Sequence, residues 1–450
     1  MRRLAPLAVA ALIAAAVAAG CPSNLEPLPE QRASVAAAAS PSAADPAAVT
    51  DLKAQLEALM EGHTDRSEEA RVVELLREAP GPVLDEVLRL IPLGELLGDI
   101  DDRVFGPDHR TTLLRLLTSD RIGDLSLFAR GLVIDALASG VTFEDEEAAI
   151  RDVFLGSRGK DLTALKNAVD AGDDYHDLEQ VVFHDIDEPA VQDAILAHFK
   201  AHAAPSGEVK VLSDIDDTLY RNWVDPRFPA KTVYPGIIGL HRELDLGLAV
   251  TPEGIPSGRR GDLAFITARP IERTGTVESQ THATLRSLGV EHAVVLGGDA
   301  LHLHSNEAIA ERKVENFHRY WRLFPEYGFV FTGDSGQGDA IAGAAMVADA
   351  PDAVKLVLIH DVVGWDEPTR AGWAKKGVVV VDTYVGGACV AFERKLITAE
   401  GLARVAREGR EALAKVAFGE DVTSKVAREA ELERDVARAN ALLPEKLRLR

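Results

Sequence analysis

The string Ser213-Asp214-Ile215-Asp216-Asp217-Thr218 sets two carboxylates one residue apart, directly after the apolar run Val209-Lys210-Val211-Leu212. Carboxylates in that spacing can attack an electrophile, move a proton or hold a divalent cation. The run before them reads as a buried strand, and a doubly wound sheet binds its ligands at the carboxyl edge of its strands. The tripeptide alone says little, and the chain provides its own controls. Asp99-Ile100-Asp101 and Asp185-Ile186-Asp187 repeat it in helical surroundings, with no strand before and no Thr two residues on. Those two read as loop and cap acids.

Three further features follow in chain order at places where a site would need them. Phe265-Ile266-Thr267-Ala268-Arg269-Pro270 closes a second apolar run with a hydroxyl and an arginine. Lys313 lies on a helix whose apolar row is Val314, Phe317, Trp321 and Phe324, which puts its ammonium at the edge of the buried face. Gly333-Asp334-Ser335-Gly336-Gln337-Gly338-Asp339 ends another run with two acids in a Gly-rich turn. Singly these read as a strand-end Thr, a surface Lys and a polar turn. Four features in this order, each on its expected element, read as one site.

The elements that must position them begin at Val209. Val209–Leu212, Leu263–Ile266, Ala293–Leu296, Phe329–Phe331, Val354–Ile359 and Val378–Val381 are short Val- and Ile-rich runs alternating with helical segments. That texture predicts a doubly wound, mostly parallel α/β sheet over 205–400. Upstream, from 51 to 204, the periodicity is helical almost throughout: Leu52, Leu56 and Leu59, then Val83, Val87, Leu88 and Ile91, keep one face apolar. This all-α domain is internally duplicated. Glu68-Glu69-Ala70 and Glu146-Glu147-Ala148 open matching helices, and Asp99-Ile100-Asp101-Asp102 and Asp185-Ile186-Asp187-Glu188 follow as matching blocks. Apolar helices over Leu113–Leu117 and Ile195–Phe199 come next. Residues 401–450 read as charged helices with a solvated basic tail.

The ordered set of motifs resembles the haloacid dehalogenase superfamily of phosphotransferases. Within it, Ser213-Asp214-Ile215-Asp216-Asp217-Thr218 and Gly333-Asp334-Ser335-Gly336-Gln337-Gly338-Asp339 are similar to the catalytic domain of the actin-patch phosphatidate phosphatases, with lipin a more distant relative. Val379-Val380-Val381-Asp382-Thr383-Tyr384-Val385-Gly386-Gly387-Ala388 is similar to the end of that domain. Ile266-Thr267-Ala268-Arg269-Pro270 departs from the Ser-Asn-Ser-Pro-Trp form of the actin-patch enzymes toward the general and lipin form. The resemblance covers 205–400, and its spacing leaves no room for an inserted cap domain between 220 and 262 or between 270 and 312.

A Mg²⁺-dependent phosphatase with phosphatidate as substrate is what this resemblance implies. Asp214 is then the nucleophile that forms an aspartyl-phosphate. A carboxylate cannot approach a phosphate dianion unaided, so the cation is held by the Asp214 carboxylate, the Asp216 carbonyl and Asp334, with Asp339 binding directly or through water. The Asp216 side chain protonates the leaving oxygen and then activates water. Thr267 and Lys313 hold the equatorial oxygens, and Thr218 and Arg269 add substrate contacts. Two alternatives stand beside this expectation: a phosphomonoesterase for soluble nucleotides, sugar phosphates or phosphoproteins, and a non-enzymatic envelope adaptor.

Charge and the chain's start bound the setting. A formal net charge of −23 over 450 residues argues against wrapping nucleic acid and requires a local cation at any phosphate site. Two cysteines, Cys21 and Cys389, exclude a disulfide framework. Arg2 and Arg3 precede an uncharged run from Leu4 to Ala19, an export signal too short for a spanning helix. Val17-Ala18-Ala19-Gly20-Cys21 resembles the lipobox of bacterial lipoproteins, which implies a lipidated Cys21 in the cell envelope, facing the outer membrane or periplasm. Residues 21–50, rich in Pro, Ala and Ser, read as a disordered tether. The second helical copy resembles an annexin repeat in its Gly140-Val141-Thr142-Phe143-Glu144-Asp145-Glu146-Glu147 start, which implies calcium-dependent lipid binding; a plain helical scaffold is the expectation. The helical domain is then expected to matter for membrane substrates and little for soluble ones.

Overall fold

The computed structural model describes residues 44–450 apart from 101–106, 141, 171–176, 249–262, 271–282, 288–289, 291–293 and 299–304. The export segment, Cys21 and nearly all of the tether lie outside the described residues, as do Asp101, Asp102 and much of the two segments on which the capless reading rests.

Six strands stand where the six apolar runs stood: β1 (Val209–Ser213), β2 (Leu263–Pro270), β3 (Val294–Gly298), β4 (Gly328–Asp334), β5 (Val354–His360) and β6 (Val378–Val381). They form one parallel sheet in the order β3-β2-β1-β4-β5-β6. The winding direction reverses between β1 and β4, so the crevice of a doubly wound sheet opens at their carboxyl ends. Register places Ser213 beside Thr332, and the Asp214 N–H donates to the Thr332 carbonyl at 2.9 Å, carrying the ladder one residue further.

Strand alternation divides the core between two faces. Val209, Val211, Phe265, Val330 and Leu358 face one side, under α5 (Ile237–Leu246), α8 (Tyr384–Glu393), α9 (Ala399–Ala414) and α10 (Val422–Leu442). Leu212, Ile266, Phe331, Val357 and Ile359 face the other, under α6 (Asn306–Leu323) and α7 (Asp339–Asp349). The C-terminal helices, read from sequence as charged helices, therefore complete the first layer. Leu402, Val405, Ala406 and Val436 are fully buried there, and Arg404 donates to the buried Glu243 at 2.6 and 2.8 Å.

The N-terminal helices share the second core with the sheet. Among them are α1 (Arg66–Glu78), α2 (Glu144–Leu155), α3 (Gly159–Asp170) and α4 (Pro189–His202). Two fully buried ion pairs cross that junction. Lys166 of α3 donates to Glu326 at 2.8 Å and to the Leu323 carbonyl at 2.7 Å. Lys210 of β1 meets Asp170 at 3.3 Å, and Tyr320 donates to the same Asp170 oxygen at 2.6 Å. Burial lowers the Lys166 ammonium to about 8 against the opposing charge of Glu326.

Some hydrogen bonds recur between the two sequence blocks. Thr64 Oγ1 donates to the Asp99 carbonyl at 2.8 Å, and Thr142 Oγ1 donates to the Asp185 carbonyl. Glu68 and Glu146 each reach back to the backbone N–H of the residue before their helix, at 2.8 and 2.9 Å. Glu147 accepts from the N–H groups of Asp187 and Glu188 at 3.0 and 3.1 Å. Asp187 and Glu188 are thus held through their backbone, while Asp185 Oδ1 accepts from Gln180 Nε2 at 2.8 Å.

Candidate active site

Parallel pairing of β1 and β4 brings Asp214 and Asp334 together at the reversal of the sheet. Lys313 arrives from α6 and is buried, not at the edge of the helix's apolar face: Ala310, Lys313, Phe317 and Tyr320 form one inward row, with Val314 only half-buried. Its ammonium donates to Asp214 Oδ1 at 2.7 Å and to Asp339 Oδ1. Asp339 Oδ2 accepts from the Asp334 N–H at 3.0 Å, so both of its oxygens are engaged. A Cβ on Gly333 would lie 2.5 Å from that carboxylate, which is why the end of β4 needs glycine there.

Asp334 Oδ1 accepts from the Gly336 N–H at 2.6 Å. Asp334 Oδ2 and Asp214 Oδ2 are buried and make no hydrogen bond. One oxygen from each of Asp214, Asp334 and Asp339 lies within 4.8 Å of the others. Three buried carboxylates against one ammonium leave uncompensated negative charge. Burial pushes the Asp214 carboxyl up to about 7, with Lys313 opposing and Asp339 and Asp216 adding to the rise. Burial likewise holds Asp334 well above the usual carboxylate range, with Asp339 and Asp214 adding repulsion. Burial opposes the Lys313 charge, yet Asp214 and Asp339 together raise its pKa. Two orphaned carboxylate oxygens in a cluster of hard donors fit a divalent cation.

Asp216 contributes no side-chain oxygen to that cluster; its Oδ1 accepts from Asn222 Nδ2 at 2.7 Å. Thr267 is buried on β2, next to β1. Arg269 continues β2, with its side chain outside the described residues. Thr218 is fully buried below the loop, its hydroxyl without a partner and its carbonyl accepting from Tyr384 at 2.6 Å.

Sequence reasoning missed Asp217. It holds a left-handed backbone, φ 58°. Its carboxylate accepts from the N–H groups of Asn222, Trp223, Val224 and Asp225 at 3.0, 2.8, 3.0 and 3.5 Å. The one available signal was a third acid in the string, which spacing alone could not separate from its neighbours.

Residues 271–361 match the family model described as phosphatidate phosphatase APP1, catalytic domain. Over those residues the chain resembles a phosphatidate phosphatase catalytic domain. By class that is a phosphoric monoester hydrolase. The match spans Lys313, Asp334 and Asp339. Asp214, Asp216 and Thr267 precede it in sequence, the first two directly after β1 and Thr267 on the neighbouring β2. No curated protein and no solved structure matches the chain at a significant level.

Proposed function

We propose that this chain is a Mg²⁺-dependent phosphatidate phosphatase that works through a phosphoryl group carried on Asp214. The observation that carries the reading is the buried cluster in which Lys313 bridges Asp214 and Asp339 while Asp214 Oδ2 and Asp334 Oδ2 have no partner. Asp214, Asp334 and the Asp216 carbonyl would hold the ion, and Asp339 would support it by fixing Lys313 and the Asp334 backbone. When bound, Mg²⁺ screens the phosphate charge and keeps Asp214 ionised.

The Asp214 carboxylate then attacks phosphorus as the bond to the leaving oxygen breaks, and Asp216 supplies the proton that oxygen needs. In the second step Asp216 takes a proton from water, whose oxygen attacks phosphorus and releases phosphate from Asp214. Lys313 and Thr267 stabilise the equatorial oxygens where charge spreads, with Arg269 and Thr218 as further contacts. Phosphatidate is favoured over soluble esters because the matched family is named for it.

Metal removal tests the first half of this reading. Chelation should abolish turnover and lower the melting temperature, and Mg²⁺ should restore both, since the ion relieves repulsion among buried carboxylates. A melting temperature and activity indifferent to chelator would exclude the metal. Substrate class is tested by comparing phosphatidate in vesicles with glycerol 3-phosphate and a nucleoside monophosphate. A preference for either soluble ester would move the activity away from lipids.

We further propose that Cys21 is lipidated and tethers the enzyme to the cell envelope. No helix among the described residues is long and apolar enough to cross a membrane. Cys21→Ser should abolish fatty-acid labelling and release the protein from membranes. Retention without label would reject the anchor.

A further inference from the structure

The loop between β1 and α5 is built around Asp216. Tyr220 pairs antiparallel with Val233. The Arg221 N–H donates to the Thr232 carbonyl at 2.8 Å, and the Lys231 N–H donates to the Arg221 carbonyl at 2.9 Å. This narrow hairpin sets Lys231 opposite Asn222. Asp217 fixes the same turn from below through its four N–H contacts. Lys231 Nζ donates to Asn222 Oδ1 at 2.6 Å, and Asn222 Nδ2 donates to Asp216 Oδ1 at 2.7 Å.

The chemistry at both ends dictates how the Asn222 amide points. A carboxylate needs a donor and an ammonium needs an acceptor, so the reverse orientation would set oxygen against oxygen and nitrogen against nitrogen. Lys231 is exposed, so solvent could satisfy its charge; its contact with Asn222 therefore orients the amide and is not needed to neutralise a buried group.

We propose that Asn222, oriented by Lys231, is the positioning residue for the proton-transfer step. Its N–H fixes the plane of the Asp216 carboxyl and reserves Oδ1 as an acceptor. The transferable proton is thereby placed on Oδ2. The inference rests on the acid–base reading of Asp216 given above. It assigns to these two residues a share of the rate only where the leaving oxygen needs a proton.

The test compares kcat/KM for phenyl phosphate, a poor leaving group, with that for 2,4-dinitrophenyl phosphate, which departs without a proton. The full chain is assayed with Mg²⁺ at one pH. This constant reports the steps up to loss of the alcohol, before the shared hydrolysis of the phosphoenzyme. Asp216→Asn is the reference and should lose far more on phenyl phosphate. Asn222→Ala should lose about 10- to 100-fold on phenyl phosphate and about threefold or less on the dinitrophenyl ester, a fraction of the roughly 10²- to 10⁴-fold typical of general acid catalysis. Lys231→Met, a surface change, should show the same selectivity more weakly. The double variant should be no worse than Asn222→Ala, because Lys231 acts through Asn222.

If Asp216→Asn is selective but Asn222→Ala slows both esters equally or neither, the positioning role is overturned. A uniform rise in KM for Lys231→Met, additive with Asn222→Ala, would instead make Lys231 an electrostatic attractor and overturn its part. If Asp216→Asn itself ignores the leaving group, the acid–base reading fails and this inference falls with it.

Discussion

Asp214→Asn should lower turnover of every phosphate ester by about 10⁴-fold or more, the scale seen when a nucleophile is removed. The change is nearly isosteric, and the Asn oxygen can still accept from Lys313, so the fold should survive. It also removes one of three buried carboxylates that face a single ammonium. In chelator the variant should therefore melt no lower than the wild type, and its gain in melting temperature on adding Mg²⁺ should be smaller. Acid quenching after mixing with radioactive substrate should trap phosphoprotein in the wild type and none in the variant. Activity near wild type would reject the covalent route. Normal activity loss with an unchanged metal response would place the ion elsewhere.

Lys166→Ala should cost about 3–5 kcal/mol of stability, the scale for removing one partner of a buried ion pair. Glu326 is 1% exposed at its side chain, and after the change Thr163 Oγ1, at 2.9 Å, is the one donor left to its carboxylate among the described residues. Chemical denaturation would measure the loss; a change below about 1 kcal/mol, the scale of an exposed pair, would mean water reaches Glu326. Deletion of 51–200 is the extreme form of the same experiment. It strips Lys166 from Glu326 and Asp170 from Lys210, and it bares the side of the sheet core formed by Tyr320, Phe324 and Phe329. The fragment should be insoluble and inactive on soluble and lipid substrates alike. Sequence reasoning treated these helices as dispensable for aryl phosphates. Their shared core with the sheet argues otherwise, and a soluble fragment with wild-type aryl phosphate turnover would restore the earlier expectation.

What the amino-acid sequence determined by itself was local. Six Val- and Ile-rich runs became six parallel strands because a strand buried on both faces is apolar along its whole length. Asp214, Asp334 and Asp339 were legible because the ends of strands and the turns after them carry recognisable residues, and Lys313 because it stands beside a helix's apolar row. Helical periodicity likewise marked out the N-terminal region and its repeated Glu-Glu-Ala starts.

Tertiary structure decided what those pieces meet. Periodicity states that a face is buried, not which element covers it. The N-terminal helices and the sheet were therefore read apart, although Lys166 and Lys210 join them through buried pairs. The same limit left α9 and α10 read as charged helices with no stated place in the core. Lys313 was placed at the edge of its helix because a lysine in an apolar row is ordinarily at the margin. Only the approach of Asp214 and Asp339 from two other elements makes its full burial tolerable. Asp217, Asn222 and Lys231 left no periodic mark at all. Their roles lie in side-chain hydrogen bonds across an irregular loop, and such bonds exist only once the hairpin at Tyr220 and Val233 has closed.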